Sequence, residues 1–292
     1  MILVTGATGN NGSKIVKLLA AQNVPVRAMV RDSHSERLRQ RNRASAVTAP
    51  NVEVVEADFD RPETLLTALS GVERAFLVTN SSEHAEAQQM AFVDAAQQSG
   101  VTHIVKLSQF AASANSPVRF LRYHAAVEAV IQASGIAYTF LRPNLFMQGL
   151  LNFQPTIATQ NAFYVTAGDA KVSVVDVRDI ADVAVAALTG AGHEGKIYDL
   201  TGPQALTHTE MAQYLSDATG RQITFVDIPP DTMRDTLLGV GFPDWQAEGL
   251  IEDYEHYRRG EASAIASGVQ DATGKAPRSF ETFAHDYATM FN

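Results

Sequence analysis

Cysteine is absent from this chain of 292 residues. A protein without a thiol cannot form a disulfide, use a thiolate as a nucleophile or hold a metal ion through sulfur. Disulfide scaffolds, thiol enzymes and metal–thiolate modules are therefore excluded as classes.

Long apolar runs and basic stretches are scarce as well. No run approaches the roughly 20 apolar residues of a membrane-spanning helix, and the start of the chain is typical of a strand rather than a signal peptide. The formal net charge is −9, which disfavours contact with nucleic-acid phosphates. We expect a cytoplasmic protein with no membrane or nucleic-acid partner, and both a monomer and a homodimer stay open.

A glycine-rich turn, GATGNNG, follows the first apolar run, and a helical pattern begins right after it. This strand–turn–helix context is the one that a dinucleotide fingerprint requires. Gly6 permits the tight turn, Gly9 lets the backbone approach a pyrophosphate, and Gly12 lets the helix pack close to the strand. The candidate cofactor contacts here are Gly6, Thr8, Gly9, Asn10, Asn11 and Gly12. The alternative is an ordinary turn that happens to be rich in glycine.

Apolar strand-like runs alternate with helical patterns through the first half of the chain. Strands are predicted at 1–4, 24–30, 52–56, 74–78, 104–107 and 137–141, and helices at 62–69, 84–99 and 118–134. Asp60 is the predicted N-cap of the helix that begins at Pro62. Regular alternation with uninterrupted apolar strands predicts an α/β fold, a Rossmann-type doubly wound parallel sheet.

The rhythm changes after Pro143. Residues 144–170 have no clear pattern, 171–175 and 196–200 resemble strands, and a helix over 177–188 is predicted to be capped by Asp176. From a capping box at Thr207 and Glu210 onward the pattern is mostly helical, with helices predicted at 230–239, 244–259 and 279–290. We therefore expect a dinucleotide-binding domain over 1–143, to which segments of 171–200 return. Residues 144–292 form a smaller, mainly helical substrate lobe.

The end of the second strand indicates which dinucleotide binds. A site for NAD places a carboxylate there, about 20 residues past the glycines, whereas Arg31 stands at this position. Its guanidinium can pair with a 2′-phosphate, so NADP(H) is the predicted cofactor. Beyond this strand Arg37, Arg39, Arg41 and Arg43 form either a solvated loop cluster or a second phosphate-related group.

Further cofactor contacts are predicted at the carboxyl ends of the next strands. Asp58 and Phe59 follow the third strand and are candidates for an adenine clamp; the alternative is that Asp58 only begins a loop. Thr79 and Asn80 follow the fourth strand, and Ser108 follows the fifth, where the nicotinamide half of a dinucleotide usually lies.

Three stretches together resemble the NmrA-like branch of the atypical short-chain dehydrogenases. They are TGATGNNG at the start, RYHAAVE followed by SGIAYTFLRPN in the middle, and VDVRDIA at 175–181. The middle stretch is similar to NADPH-dependent quinone reductases and triphenylmethane reductases. The resemblance implies that Pro143, Asn144 and Phe146 border the nicotinamide.

Typical short-chain dehydrogenases use Tyr-x-x-x-Lys, in which lysine lowers the pKa of a proton-donating tyrosine. Tyr123 is followed four residues later by Val127, and residues 107–170 contain no lysine. Ordinary carbonyl reduction and sugar epimerisation are therefore disfavoured. A quinone or a cationic dye accepts hydride directly, and water is then expected to supply any proton.

His124 and Tyr123 are the candidate catalytic residues. Glu128, one helical turn after His124, is expected to orient the imidazole, and the alternative is a core histidine satisfied by that carboxylate. Tyr123 is the weaker candidate, since a lone tyrosine on a helix usually packs. A flat apolar acceptor is expected to contact aromatic and methionine side chains, for each of which a core position is the alternative: Phe146, Met147, Phe153, Phe163 and Trp245.

These observations predict an NADPH-dependent reductase of a quinone or similar conjugated aromatic acceptor. The alternative, implied by the family resemblance, is a redox-sensing regulator that binds NADP without turnover.

Overall fold

Seven strands form one sheet in the computed structural model, which describes residues 1–32 and 49–291. The strands are β1 Ile2–Val4, β2 Val26–Val30, β3 Val52–Glu56, β4 Arg74–Leu77, β5 His103–Leu107, β6 Ala137–Pro143 and β8 Lys196–Leu200. Their order across the sheet is β3-β2-β1-β4-β5-β6-β8. The pairs from β3 to β6 are parallel. Because the order reverses between β1 and β4, their carboxyl ends open the crevice where such folds bind ligands.

Helices connect the strands of this sheet. They are α1 Gly12–Ala21, α2 Pro62–Leu69, α3 Ala85–Gln98, α4 Arg119–Ala133 and α6 Val177–Thr189. Apolar side chains of β1, α3, β5 and β6 pack into a buried core that includes Leu3, Phe92, Ile104 and Phe140. The predicted Rossmann-type doubly wound sheet is thereby confirmed.

The chain divides into two compact units. The first comprises the described residues of Met1–Ser108, together with Tyr123–Arg142 and Ile180–Tyr198. The second comprises Gln109–Arg122, Pro143–Asp179 and the described residues from Asp199 onward.

The second unit is mostly helical around a small parallel sheet. Its elements are a 3₁₀ segment Met147–Phe153, α5 Gln154–Gln160, β7 Ala162–Val165, α7 His208–Thr219, β9 Thr224–Asp227, α8 Pro230–Gly239, α9 Asp244–Arg258, α10 Gly268–Thr273, α11 Phe280–Tyr287 and a 3₁₀ turn Ala288–Met290. β7 pairs with β9. The core of this unit is built from buried side chains that include Phe163, Leu215 and Phe283. Among the described residues, none of the helices combines the length and apolar character needed to cross a bilayer.

Two local predictions are wrong. Residues 171–175 are not a strand, since only isolated bridges form there, from Val172 to Leu206 and from Val175 to Phe146. Two single bridges to different parts of the chain do not make the continuous pairing with one strand that a sheet requires. Asp60 is not the N-cap of α2, because Arg61 holds that position.

Asp60 lies one residue too early to reach the first amides of α2. Its carboxylate instead accepts a hydrogen bond from Gln88 Nε2 at 2.7 Å. The capping box at Thr207 and Glu210 is present as predicted, with both reciprocal bonds formed.

Candidate active site

The glycine turn between β1 and α1 is closed by backbone packing. Gly6 has a φ of +57°, a conformation that glycine adopts without strain, and its carbonyl accepts the Gly9 N–H at 2.8 Å. A Cβ atom on Gly12 would lie 2.2 Å from the Gly6 carbonyl oxygen. The first turn of α1 is therefore pressed directly onto the loop that precedes it.

The N-terminus of α1 meets the requirements of an anion site. Asn11 is the N-cap residue, yet its side chain makes no capping hydrogen bond, and the first helical turn holds no acidic residue. The buried Oδ1 atom of Asn11 also lacks a hydrogen-bond partner within residues 1–32 and 49–291. Amide groups at a helix start attract phosphate. The turn therefore fits the pyrophosphate of a dinucleotide.

Thr5 fixes this turn against the end of β4, a contact that the sequence reasoning missed. Its Oγ1 accepts the Val78 N–H at 2.8 Å and lies 3.0 Å from the Val78 carbonyl oxygen. Thr79 follows directly, and its Oγ1 accepts a hydrogen bond from the buried Gln89 at 2.8 Å. The glycine turn and Thr79 are thus neighbours, and Asn80 beside them is exposed.

The predicted adenine-side residues follow β2 and β3. Arg31 and Asp32 are both exposed at the end of β2. The Asp58 carboxylate accepts the Asp60 N–H at 3.1 Å, and the Phe59 ring lies 5.9 Å from that of Phe92. Both side chains thus take part in local loop and core contacts.

The arginine cluster predicted beyond β2, at positions 37, 39, 41 and 43, lies outside the described residues.

Ser108 and Glu128 belong to one buried network with Arg142. Ser108 Oγ donates to Glu128 Oε1 at 2.5 Å, and Arg142 donates to both carboxylate oxygens, at 3.0 and 2.5 Å. The expectation that Glu128 orients His124 is wrong, because these donors occupy its carboxylate. The hydroxyl of Ser108 is bound inward for the same reason.

His124 is instead paired with Lys106, a residue that the sequence reasoning missed. Lys106 Nζ lies 2.7 Å from His124 Nδ1 and donates to the Leu107 carbonyl oxygen at 3.1 Å. Lys106 is completely buried, while His124 keeps 8% of its surface exposed. Of these two residues, only His124 keeps any exposed surface.

Burial governs the charge of this pair. It lowers the pKa of Lys106 to about 7, an effect that the nearby Glu128 opposes and Arg142 reinforces. Burial, Lys106 and Arg142 all lower the pKa of His124 well below its ordinary value. The imidazole is therefore neutral at neutral pH, next to a lysine close to its own titration midpoint.

Tyr123 lies beside this pair on α4. Its hydroxyl is 3.1 Å from Ser81 Oγ, in the loop after β4, and its ring stands 4.1 Å from that of His124. The start of α4 is thereby tied to the carboxyl end of the sheet. The structure thus brings together Tyr123, His124 and Ser108, together with the unpredicted Lys106.

One signal in the sequence pointed to Lys106. Residues alternate between the two faces of a strand, so Lys106 shares the face of Ile104, which lies in the core. A lysine at a core-facing position of an apolar strand requires a buried partner.

Of the residues after β6 that were predicted to contact the nicotinamide, Asn144 uses its side chain for hydrogen bonds within the second unit. Asn144 donates to Ser173 Oγ and to the Ala262 carbonyl oxygen, and its own oxygen accepts the Leu145 N–H. Its side chain therefore holds the local backbone together. Pro143 is buried at the end of β6, and Phe146 is half-buried.

Most of the predicted pocket-lining side chains belong to the packing of the second unit. Met147 and Phe163 are core residues, and Phe153 packs against that core. Trp245 packs on Phe120, with ring centroids 5.4 Å apart, and under the Arg119 guanidinium. For Met147 and Phe163, the alternative of a core position rather than a pocket-lining one holds.

A buried carboxyl group in the second unit was also missed. Gln109 Nε2 lies 2.9 Å from both oxygens of Asp253, and the Tyr257 hydroxyl donates to the same group at 3.1 Å. Burial raises the pKa of Asp253 to about 7. Gln109 and Asp253 are 144 residues apart in the chain, so sequence spacing gave no indication of the pair.

Comparison with known proteins decides the family. The model of the NmrA-like family matches residues 1–284. The chain belongs to the NmrA-like family. An NAD(P)H azoreductase of Xenophilus azovorans is 37% identical over 291 residues, which make up 100% of this chain and 99% of the relative.

Two solved structures are similar over almost the whole length. The NADPH-dependent quinone oxidoreductase of Escherichia coli, complexed with NADPH, has a TM-score of 0.84 and 28% identity, and the match covers 100% of both chains. The triphenylmethane reductase of Citrobacter sp., complexed with NADP(H), has a TM-score of 0.83 and 27% identity, and the match covers 99% of this chain and 100% of the other.

In this NmrA-like chain the positive charge beside His124 comes from the sheet. Val127 occupies the helix position where a typical short-chain dehydrogenase has lysine, and Lys106 reaches His124 from β5 instead. Arg142 contributes a second cation from β6. The arrangement can hold a neutral imidazole in one tautomer and can stabilise negative charge that develops beside it.

Proposed function

We propose that this chain reduces a quinone or a similar conjugated aromatic acceptor with hydride from NADPH. At the coarser level the chain is an NADP(H)-dependent oxidoreductase. The observation that carries the proposal is the uncapped start of α1, packed onto the glycine turn at the carboxyl end of β1.

In this proposal, different parts of the cofactor contact residues that follow different strands of the sheet. The amides of the glycine turn bind the pyrophosphate, and the exposed Arg31 pairs with the 2′-phosphate. Thr79, Asn80 and Ser108 follow β4 and β5, where the nicotinamide half lies in folds of this kind. When bound, NADPH supplies the hydride.

The acceptor class follows from what α4 lacks. Tyr123 has no lysine four residues later, so α4 lacks the tyrosine–lysine pair with which typical short-chain dehydrogenases reduce carbonyls. An electrophilic conjugated acceptor needs less proton transfer during hydride addition than a ketone does. The azoreductase, quinone oxidoreductase and triphenylmethane reductase names of similar proteins support this class. Residues of the second unit are proposed to hold the acceptor.

The alternative is an NADP-binding regulator of redox state without turnover. Both functions use the same cofactor site, and no feature within residues 1–32 and 49–291 favours the regulator specifically. We therefore keep the reductase as the conclusion.

A steady-state assay tests the proposal. The oxidation of NADPH is followed at 340 nm with a panel of neutral quinones, an azo dye and a cationic triarylmethane dye. Turnover with at least one conjugated acceptor, and faster with NADPH than with NADH, is expected. Tight binding of NADPH without oxidation by any acceptor would contradict the reductase and favour the regulator.

A further inference from the structure

The hydrogen bond between Lys106 and His124 connects a completely buried ammonium group to an imidazole that is almost completely buried. Lys106 has no exposed surface, so it cannot contact a substrate, whereas His124 retains a small exposed fraction. Tyr123, the neighbour of His124, is held against Ser81 in the loop after β4. The imidazole thus lies near the carboxyl end of the sheet, where the proposed function places the nicotinamide.

The 2.7 Å contact also fixes the tautomer of the ring. An ammonium group has three donors and no acceptor, so a protonated Lys106 must donate to His124 Nδ1. A neutral imidazole that accepts at Nδ1 carries its proton on Nε2. The charged lysine therefore keeps His124 in the form that can donate outward.

Other charges near the pair favour a neutral ring. Glu128 on α4 opposes the loss of charge from Lys106, and Arg142 on β6 disfavours charge on both Lys106 and His124. The ring at rest is therefore the neutral imidazole, and loss of its Nε2 proton leaves an imidazolate unless Nδ1 gains a proton. Its pairing with Lys106 supplies that proton.

We propose that His124 Nε2 protonates a neutral acceptor as hydride arrives, and that Lys106 replaces this proton through Nδ1. The proposal rests on the proposed reductase function and names the acceptor class more narrowly. Hydride addition turns a neutral quinone into a hydroquinone anion, which takes the Nε2 proton to become the hydroquinone. Lys106 Nζ then gives a proton to Nδ1 and becomes a neutral amine. After the product leaves, a solvent proton returns to Nε2 and the Nδ1 proton moves back to Nζ.

A cationic triarylmethane dye provides the internal contrast. Hydride addition to this cation gives a neutral product, so no proton is required. His124 is a catalytic residue only for the neutral acceptor, and Lys106 is a positioning residue that acts through it. For a neutral acceptor, the proposal thus replaces the expectation that water supplies the proton with protonation by His124.

The experiment compares both acceptors in three variants. His124→Gln and Lys106→Met remove the two members of the pair, and His103→Gln is the matched control. His103 is equally buried in β5, on the opposite face, where it bonds Thr139 at 2.9 Å. The first two variants are expected to lower kcat for a neutral quinone about 10²-fold, the lower end for loss of a general acid. Dye reduction is expected to stay within about threefold, and the control is expected to lower both acceptors alike or neither.

A measurement on the unmodified protein does not depend on the folding of any variant. As the pH rises through about 7, Lys106 loses its proton and no longer holds His124 in the donating tautomer. Quinone turnover is then expected to fall about tenfold per unit of pH, while dye turnover stays flat. Quinone turnover is also expected to be slower in D₂O, and dye turnover is not.

The possible outcomes distinguish failure of the proton relay from failure of the proposed reductase function. An equal loss for both acceptors, or no loss for either, would overturn the relay and leave the reductase in place. Reduction of the dye alone by the unmodified protein would also overturn the relay. Reduction of neither acceptor would overturn the proposed function itself, and the relay with it.

Discussion

Gly12 and Gly6 are in contact across the start of α1, so that a Cβ atom on Gly12 would stand 2.2 Å from the Gly6 carbonyl oxygen. The first turn of α1 is therefore packed directly against the loop that is proposed to hold the pyrophosphate.

Gly12→Ala is expected to destabilise the protein by about 1–3 kcal/mol, because a methyl group forces backbone apart from backbone. Thermal unfolding measures this. Gly239→Ala is the matched control, since no atom lies within 4 Å of the added Cβ in α8. Equal melting temperatures for the two variants would contradict the close packing.

Gly9→Val is expected to separate binding from folding. The Cβ position on Gly9 is 3.2 Å from the Gly6 carbonyl oxygen, a tight but adjustable distance. The branched side chain, however, occupies the space into which the pyrophosphate comes. Titration of NADPH by its fluorescence is expected to show no binding, while circular dichroism shows a folded protein. Retained tight binding would mean that the phosphates lie elsewhere.

Arg31→Ala is expected to weaken NADPH binding by about 1.5–3 kcal/mol, the range for a hydrogen bond to a charged group. Binding of NADH, which lacks the 2′-phosphate, serves as the control and is expected to change little. Calorimetric titration of both cofactors decides the matter. Equal affinity of the native protein for the two would refute the role of Arg31.

Glu128→Gln is expected to move the pH at which Lys106 titrates. The negative charge of Glu128 raises the pKa of Lys106 against the effect of burial, so its removal lowers that pKa further. The pH profile of quinone turnover is then expected to shift to lower pH. An unmoved profile in a folded variant would show that Lys106 does not govern it.

Asp253→Asn is expected to change how stability of the second unit depends on pH. Burial raises the pKa of Asp253 to about 7, so between pH 4 and 7 the folded state holds a proton that the unfolded state has lost. The stability from this group is present below about pH 4 and is lost as the pH rises towards 7. The variant cannot ionise there, so its melting temperature is expected to fall less between pH 4 and 8. Parallel melting curves for the two proteins would be evidence against a buried neutral carboxyl.

Elements set by local signals could be predicted from the sequence. Pro62–Leu69 and Lys196–Leu200 have the predicted bounds, and the capping box of α7 involves only neighbours in the chain. The apparent strand at 171–175 failed because its residues find different partners. No local pattern reveals such pairing.

The candidate site divides in the same way. The glycine turn is a contiguous motif, and its close packing follows from three residues. Lys106 and His124 are 18 residues apart on different elements, and the network of Ser108 with Glu128 and Arg142 joins β5, α4 and β6. Which buried polar groups meet depends on how α4 packs against the strands of the sheet, and no local sequence pattern predicts this packing.

Lys106 has a further consequence for how the protein evolves and how it can be engineered. A buried cation opposite a neutral ring is a poorer core than two apolar side chains of similar volume, so Lys106→Met combined with His124→Leu is expected to unfold at a higher temperature than the native chain. Selection for thermostability alone would remove this pair first. A higher melting temperature of the double variant would show that the buried pair costs the fold stability at these two positions.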